Sequence, residues 1–326
     1  MSYQPPYQIT SEILNLAAEI SEQVGQLNTS VFNASPQLRK QNRIKTITGT
    51  LAIEGNTLSE AQITAIVEGK PVLGSVRELA EVKGAIAAYE ALAHFKADDI
   101  KDLLAAHSVM MADILTDAGQ FRQDAVGIHK GGQVHHVAPP AHKVSGLMAD
   151  LMRWLRHTKD HPLMTSCVFH YEFEFIHPFR DGNGRMGRLW QTLILSHWHP
   201  LFLSLPLESV IKDYQSEYYQ ALEQADEQAD SSPFIHFMLS VITKTLAQNA
   251  PANAPENVLV NLQGLKTHQA VLTLIKNNPD ITRQTMANYI GKDLRTIGRA
   301  ISKLQKEGVL SRVGSDKAGH WKIINE

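Results

Sequence analysis

The stretch that most constrains this chain is residues 162–198, in which "PLMTSCVFHYEFEFI" and "LWQTLILSHW" flank the short segment "HPFRDGNGRMGR". The first apolar run predicts a helix that stops at Ile176, because Pro178 disfavours helical φ/ψ at His177. A second helix is expected to begin within "GNGRMGR", since Leu189, Leu193 and Trp198 continue an apolar face. Between the two lies a glycine-containing turn at a helix N-terminus. Such a turn presents amides with no helical acceptor and the positive end of a helix dipole, which suits an anion.

The side chains of the turn then acquire roles. Gly182 and Gly184 let the backbone approach a phosphate without a Cβ clash, and Asn183 can donate an amide hydrogen bond to it. Asp181 is out of place beside a bare anion, but one carboxylate plus substrate phosphates can hold Mg²⁺. Arg185 and Arg188 are three apart, share a helix face and can clamp further phosphates. His177, just outside the anion hole, can take a proton from an attacking hydroxyl. Arg180 has no such role and reads as a surface or target-side residue.

Helical periodicity dominates the rest of the first 245 residues. "SEILNLAAEISEQVGQL", "SVRELAEVKGAIAAYEALAHF", "IKDLLAAHSVMMADI" and "AHKVSGLMADLMRWLRH" repeat apolar residues three and four apart, and Ser75 with Glu78 has capping-box spacing. A mostly α domain follows. The exception is "AVGIHKGGQVHHVAPP", where apolar residues alternate around Gly131-Gly132 as in a short hairpin, a flap over a groove rather than a sheet core.

At 326 residues the chain is long enough for one large domain and one small one. "NAPANAPENVLVNLQG" reads as the linker between them. Beyond it, "THQAVLTLIKNN", "TRQTMANYIG", "DLRTIGRAISKLQKEGVL" and "SRVGSDKAGHWKII" give three short helices and a hairpin, the pattern of a winged helix-turn-helix. The overall charge of −2 offers no bulk attraction to nucleic acid or membrane. In residues 262–326, however, basic residues outnumber acidic ones about two to one. Arg295, Arg299, Lys303 and Lys306 follow helical spacing there, as phosphate contacts on DNA would require. The single cysteine, Cys167, excludes an intramolecular disulfide framework. No secretory leader and no run of roughly 18 to 20 apolar residues is evident, so a soluble, cytoplasmic protein with no membrane partner is expected.

"HPFRDGNGRMGR" resembles the signature of the Fic family, His-x-Phe-x-Asp/Glu-Gly-Asn-Gly-Arg-x-x-Arg, at every specified position, and "GQFRQDAVGIHKGGQVHHVAPP" resembles that family's target-docking flap. The resemblance covers roughly residues 1–245. It implies a Fic-type helical bundle over 1–248, with a flap at about 124–138, while the residue patterns beyond it place a linker over 249–263 and a winged-helix domain over 264–326. It also implies transfer of AMP from ATP to a hydroxyl of a target protein, with release of pyrophosphate. By the same resemblance His177 is the general base and Asp181 the Mg²⁺ ligand. Gly182, Asn183, Gly184, Arg185, Met186, Gly187 and Arg188 form the nucleotide-binding turn, with Arg188 on the γ-phosphate. "SEYYQALEQAD" resembles the segment covering the adenine, with Tyr218 as the contact.

Earlier in the chain, "TLAIEGN" (residues 50–56) resembles the family's inhibitory motif, Ser/Thr-x-x-x-Glu-Gly/Asn. It implies an inhibitory helix over about 36–54 whose Glu54 pairs with Arg188 in place of the γ-phosphate. From the residues alone, a helix ending at Glu54 with Gly55 as its left-handed cap places an acid where the helix dipole disfavours it, a conflict that asks for a cation. Removal of AMP, nucleotide sensing by a DNA-binding regulator, self-modification and homodimerisation stand as alternatives or additions. His170 reads as a packed, hydrogen-bonded histidine, and His135 and His136 as structural or surface groups of the flap. Glu172 and Glu174 read as solvated or ion-paired residues.

Overall fold

Apolar periodicity and capping chemistry divide the chain into fourteen α-helices among the residues that the computed structural model describes, namely 3–26, 36–125, 127–130, 133–249, 262, 265–313 and 320–324. The chain divides into two units. One comprises Met1–Val24 and Arg43–Gln248, the other Gly25–Asn42 and Asn249–Glu326. The expected linker lies almost wholly outside the described residues.

The first unit holds α1 (Ser11–Gln26) up to Val24, α2 (Pro36–Ile53) from Arg43, α3 Glu60–Val67, α4 Val76–Ala91, α5 Ile100–Met111, α6 Ala141–His157 and α7 Pro162–Ile176. There follow α8 (Asn183–Trp198), α9 (Leu207–Asp213), α10 (Gln215–Gln228) and α11 (Ser232–Asn249). Helices α7 and α8 form the centre, where Phe169, Phe173, Leu189 and Trp190 are wholly buried. Burying side chains of this size at roughly 25 cal/mol per Å² of apolar area fixes the two helices around the turn they enclose. Helix α7 starts on Pro162 at its first turn, where a missing N–H costs nothing.

Capping boxes open α3 and α4: Ser59 with Gln62, and Ser75 with Glu78, each satisfy two donors reciprocally. Helix α2 ends at Ile53 with Gly55 in the left-handed region at φ +88. Its side chains Ile44, Ile47 and Leu51, spaced on one face, pack with Leu58, Ile63, Val82 and Ala85. The flap appears as β1 (Gly127–Lys130) and β2 (Gln133–Val137), antiparallel with a register shift between Ile128 and His129. Gly131-Gly132 and the side chains of His135 and His136 lie outside the described residues.

In the second unit, α12 (Thr267–Asn277), α13 (Arg283–Ile290) and α14 (Leu294–Lys306) precede the antiparallel pair β3 (Leu310–Val313) and β4 (His320–Ile323). Gly291, left-handed at φ 67, closes α13, and Asp293 caps α14 through the Thr296 amide. Val271, Leu274, Met286, Ile297, Ile301 and Trp321 form this unit's core. No helix among the described residues is long and apolar enough to cross a membrane.

Candidate active site

The turn between α7 and α8 forms as its sequence requires. His177 closes α7 in the left-handed region, φ 49 and ψ 60. A non-glycine residue there costs about 1–2 kcal/mol and persists only when its surroundings impose it. Arg122 imposes it: its Nε donates to the His177 carbonyl at 2.7 Å, and its Nη2 donates to Pro139 at 2.5 Å and Ile176 at 3.3 Å. Arg122 is 3% exposed and belongs to the segment leading into the flap, so one guanidinium ties the flap's base to the histidine's backbone. Sequence reasoning passed over it, although an arginine before an aspartate in a glycine-flanked segment was there to be questioned.

Gly182 caps α8 in the left-handed region (φ 84), and a Cβ there would meet Met111 Sδ at 2.8 Å. The first helical bond of α8 runs from the Met186 amide to Gly182 O, so the amides of Asn183, Gly184 and Arg185 have no helical acceptor. The Asn183 side chain corrects an expectation. Its amide donates to Phe179 O at 2.8 Å and accepts from the Phe179 amide at 2.9 Å, so it staples the turn and is not directed at a phosphate. Met186 is wholly buried, and a Cβ on Gly187 would meet His170 Cδ2 at 2.7 Å and Glu174 Oε1 at 2.9 Å. Gly187 is therefore needed where α8 crosses α7.

Both motif arginines are buried, at 1% for Arg185 and 2% for Arg188. Arg185 reaches Asp181 Oδ1 at 3.2 Å and Glu81 Oε1 at 3.6 Å, while its Nε and Nη1 make no hydrogen bond among the described residues. Buried donors of this kind are costly unless an acceptor completes them, and a phosphate oxygen is such an acceptor. Arg188 donates to Thr50 Oγ1 at 3.0 Å, Thr50 O at 3.2 Å and Glu54 Oε1 at 2.6 Å. Burial alone would lower its pKa, but Glu54 and its neighbours more than offset this and hold it above the ordinary value.

Glu54 lies directly over the helix start. A Cβ on Gly184 would sit 2.4 Å from Glu54 Oε1, so the carboxylate fills the space the glycine leaves open. The acid that the dipole of α2 disfavours is thus placed at the N-terminus of α8, where the dipole favours it. Around the carbonyl end of α2, Gln215 Nε2 donates to Ile53 O at 2.8 Å.

Asp181 takes an amide hydrogen bond from Gly182 at 2.6 Å on Oδ1 and an ion pair from Arg77 at 2.6 Å on Oδ2. Burial opposes its charge, yet Arg185, the Gly182 amide and Arg77 outweigh burial and keep the carboxyl below its ordinary range. Glu81 links the cluster, meeting Arg77 at 3.2 Å, Arg185 at 3.6 Å and the Asn56 amide at 2.9 Å. His107 supports Asp181 from below: Nε2 lies 3.0 Å from the Asp181 carbonyl and the ring stacks on Phe179 at 3.7 Å. Burial pushes its pKa down to about 4, so it is a neutral support. No group of three or more His, Cys, Asp or Glu able to hold a metal occurs among the described residues. A divalent cation here needs phosphate oxygens beside Asp181, as expected of Mg²⁺ on a nucleotide.

Tyr218 is 2% exposed, with its hydroxyl 3.1 Å from His170 Nε2 and its ring among Tyr219, Phe234 and Phe237. It packs as a wall residue. Glu172 is buried and receives the Tyr3 hydroxyl, while Glu174, largely covered, faces His170 and His177 in ion-pair geometry, as one of its two expected readings has it. Arg180 is exposed, facing Asp117 at 3.7 Å and Asp124 at 4.0 Å.

With this geometry in view, a profile of the Fic/DOC family matches residues 97–195. The chain is similar to a protein adenylyltransferase Fic of Drosophila ananassae, 31% identical over 232 residues, which is 67% of this chain and 44% of that relative. A protein of the same description from Culex quinquefasciatus is 33% identical over 219 residues, 64% of this chain and 41% of that one. The chain therefore spans less than half the length of these curated relatives. Among solved structures, Fic-1 (residues 134–508) of C. elegans aligns at 25% identity and a TM-score of 0.60, covering 73% of this chain and 70% of that one. A Fic family protein from Desulfovibrio desulfuricans G20 aligns at 42% identity and a TM-score of 0.75, covering 99% of each chain. A likeness that spans both chains end to end, joined to the motif and its geometry, means that this chain belongs to the Fic/DOC family.

Proposed function

We propose that this chain transfers AMP from ATP to a serine, threonine or tyrosine hydroxyl of a protein, and that Glu54 holds it in a restrained state. The observation that carries the reading is the pairing of Glu54 with Arg188 over Gly184, an anion already seated at the helix start and on the guanidinium that a triphosphate would use. In the transfer, the acceptor oxygen forms a bond to the α-phosphorus, the bond from that phosphorus to the β-phosphate oxygen breaks, and pyrophosphate leaves with the electron pair. His177 takes the hydroxyl proton. The amides at the start of α8 and the donors of Arg185 hold the phosphates, with Arg188 released to the γ-phosphate. Asp181 would hold Mg²⁺ once Arg77 swings aside, and the bound ion would neutralise charge on the phosphate oxygens. With Glu54 in place the triphosphate cannot lie in line, and lost alignment alone costs on the order of a hundredfold in rate.

The test is mass spectrometry of the full chain with ATP and Mg²⁺, alone and with candidate target proteins. Glu54→Gly is expected to gain one AMP unit on itself or a target at least about tenfold faster than wild type. Adding His177→Ala is expected to abolish the gain. Equal labelling of wild type and Glu54→Gly would falsify the restraint. Loss of AMP from a pre-modified protein, dependent on Glu54, would identify removal as the chemistry instead. Release of the restraint by homodimerisation and residence in the cytoplasm complete the reading.

A second reading concerns the other unit. Helix α14 buries Ile297, Ala300, Ile301 and Leu304 and exposes Arg295, Arg299, Ser302, Lys303 and Lys306 on the opposite face. This supports a winged helix that sets α14 in a DNA major groove. It is tested by gel shift of the full chain on duplex DNA.

A further inference from the structure

Glu174 stands one turn before His177 on α7, and its side chain is 12% exposed. Its Oε2 lies 3.9 Å from His177 Nδ1 and its Oε1 3.7 Å from His170 Nε2. Oε1 makes no hydrogen bond among the described residues. An acid placed in this way is costly unless it offsets a charge. The place is also shaped for it, since a Cβ on Gly187 would come within 2.9 Å of Glu174 Oε1.

The groups facing Glu174 are His170 and His177 on its own side, Arg188 from α8 and Tyr218 from α10, with Glu54 beyond Arg188. His170 already meets neutral partners on both nitrogens, Gln191 Oε1 at 2.7 Å and the Tyr218 hydroxyl at 3.1 Å. Arg188 is taken by Thr50 and Glu54. Burial opposes the charge on Glu174, but His170, His177 and Arg188 more than offset it and hold the carboxyl below its ordinary range. The carboxylate is therefore ionised and lies beside the histidine that takes the proton.

We propose that Glu174 is a positioning residue for His177: its carboxylate keeps the Nδ1–H tautomer facing inward, leaves Nε2 as the base, and stabilises the imidazolium formed during transfer. This rests on the AMP-transfer reading. Glu174 exchanges no proton; the hydroxyl proton goes to Nε2 of His177, and pyrophosphate carries away the electron pair of the broken bond. An orienting acid of this kind acts through charge and geometry together.

The experiment uses the full chain carrying Glu54→Gly as parent, with Glu174→Gln and Glu174→Asp added singly. kcat and KM for AMP transfer are followed against pH, and the imidazole shifts of His177 are followed by NMR in the same variants. An anion within about 4–6 Å raises a histidine pKa by about one unit or more. Removing the charge with Glu174→Gln is therefore expected to lower the His177 pKa by that amount and to move the acid limb of kcat to lower pH. The plateau of kcat should fall about 10- to 100-fold with KM for ATP unchanged. Glu174→Asp should shift both in the same direction by less. An unmoved His177 titration in both variants overturns the proposal, whatever happens to the rate, because packing alone lowers activity without moving that titration. Absence of transfer in the Glu54→Gly parent would instead overturn the AMP-transfer reading, and the NMR titration would still decide the pairing. Should Glu174→Gln fail to fold, the Asp variant alone gives the sign.

Discussion

A guanidinium that is 2% exposed can serve one strong anion at a time, and Arg188 meets Glu54 now and a γ-phosphate under the reading above. Removing Glu54 leaves that charge buried and unpaired, so Glu54→Gly gains rate at the expense of stability until nucleotide restores the pair. A second buried acid has no such exchange. Glu208 is 1% exposed and accepts from Tyr89 at 2.6 Å, while its Oε2 makes no hydrogen bond among the described residues. Burial pushes its pKa up from 4.5. The folded state therefore holds a proton that the unfolded state gives up above about pH 4.5, and Glu208 loses its stabilising contribution as pH rises through its folded pKa. Glu208→Gln is expected to match wild type in urea unfolding near pH 4 and to exceed it increasingly toward pH 8. A constant difference across that range would remove the titration from the account. Residues of the turn were legible because their chemistry is contiguous. Arg77, Arg122 and Glu81 were not, since each finds its partner by tertiary folding: Arg77 meets Asp181 across 104 residues of sequence.

At the scale of elements, the position of Glu54 is set by how α2 docks. Ile44, Ile47 and Leu51 give α2 one apolar face, and Gly49 brings its backbone against α9. A Cβ at Gly49 would lie 2.5–2.6 Å from backbone atoms of Glu208 and Ser209, which cannot rotate aside as a side chain can. Gly49→Ala must therefore displace α2, at about 1–3 kcal/mol. Because Thr50 and Glu54 both ride on that helix end, the displacement loosens their hold on Arg188. The expected outcome is lower stability together with faster AMP transfer, read by urea denaturation and mass spectrometry on the same sample. Lower stability with unchanged transfer would mean that α2 shifts along its axis without freeing Arg188. Periodicity made α1, α4 and the central α7 and α8 visible. Helix α3 carries the same signal as α4, Ser59 and Gln62 at capping-box spacing, but its eight residues are too short to show a period. The fate of Asn183 could not be read, because a side chain that staples a turn and one that faces a ligand have the same sequence signature.

At the scale of the whole chain, charge is distributed unevenly: the sum is −2, yet four basic residues of the second unit, Arg295, Arg299, Lys303 and Lys306, line one face of α14. A helix that buried both faces would bury some of these cations, whereas α14 leaves Arg295, Arg299, Lys303 and Lys306 exposed. On α14 the acid beside the stripe is Glu307, 3.8 Å from Lys303 with both side chains about half exposed. Exposed pairs of that kind are worth about 0–1 kcal/mol and leave the field of the stripe intact. Against duplex DNA each phosphate neutralised releases a counterion, so affinity falls with salt at a slope set by the number of contacts. For the full chain, Arg299→Ala is expected to weaken binding on every duplex alike and to lower the slope of log affinity against log salt by about 1. Arg299 is suited to this test because it is exposed and its helix neighbours Ala300 and Ile301 hold the core without it. A slope that stays the same in the variant, or an affinity independent of salt in wild type, would assign the stripe to solvent. The same full-length preparation, labelled with AMP or not, then tells whether DNA binding and transfer answer to one another or belong to units that act apart.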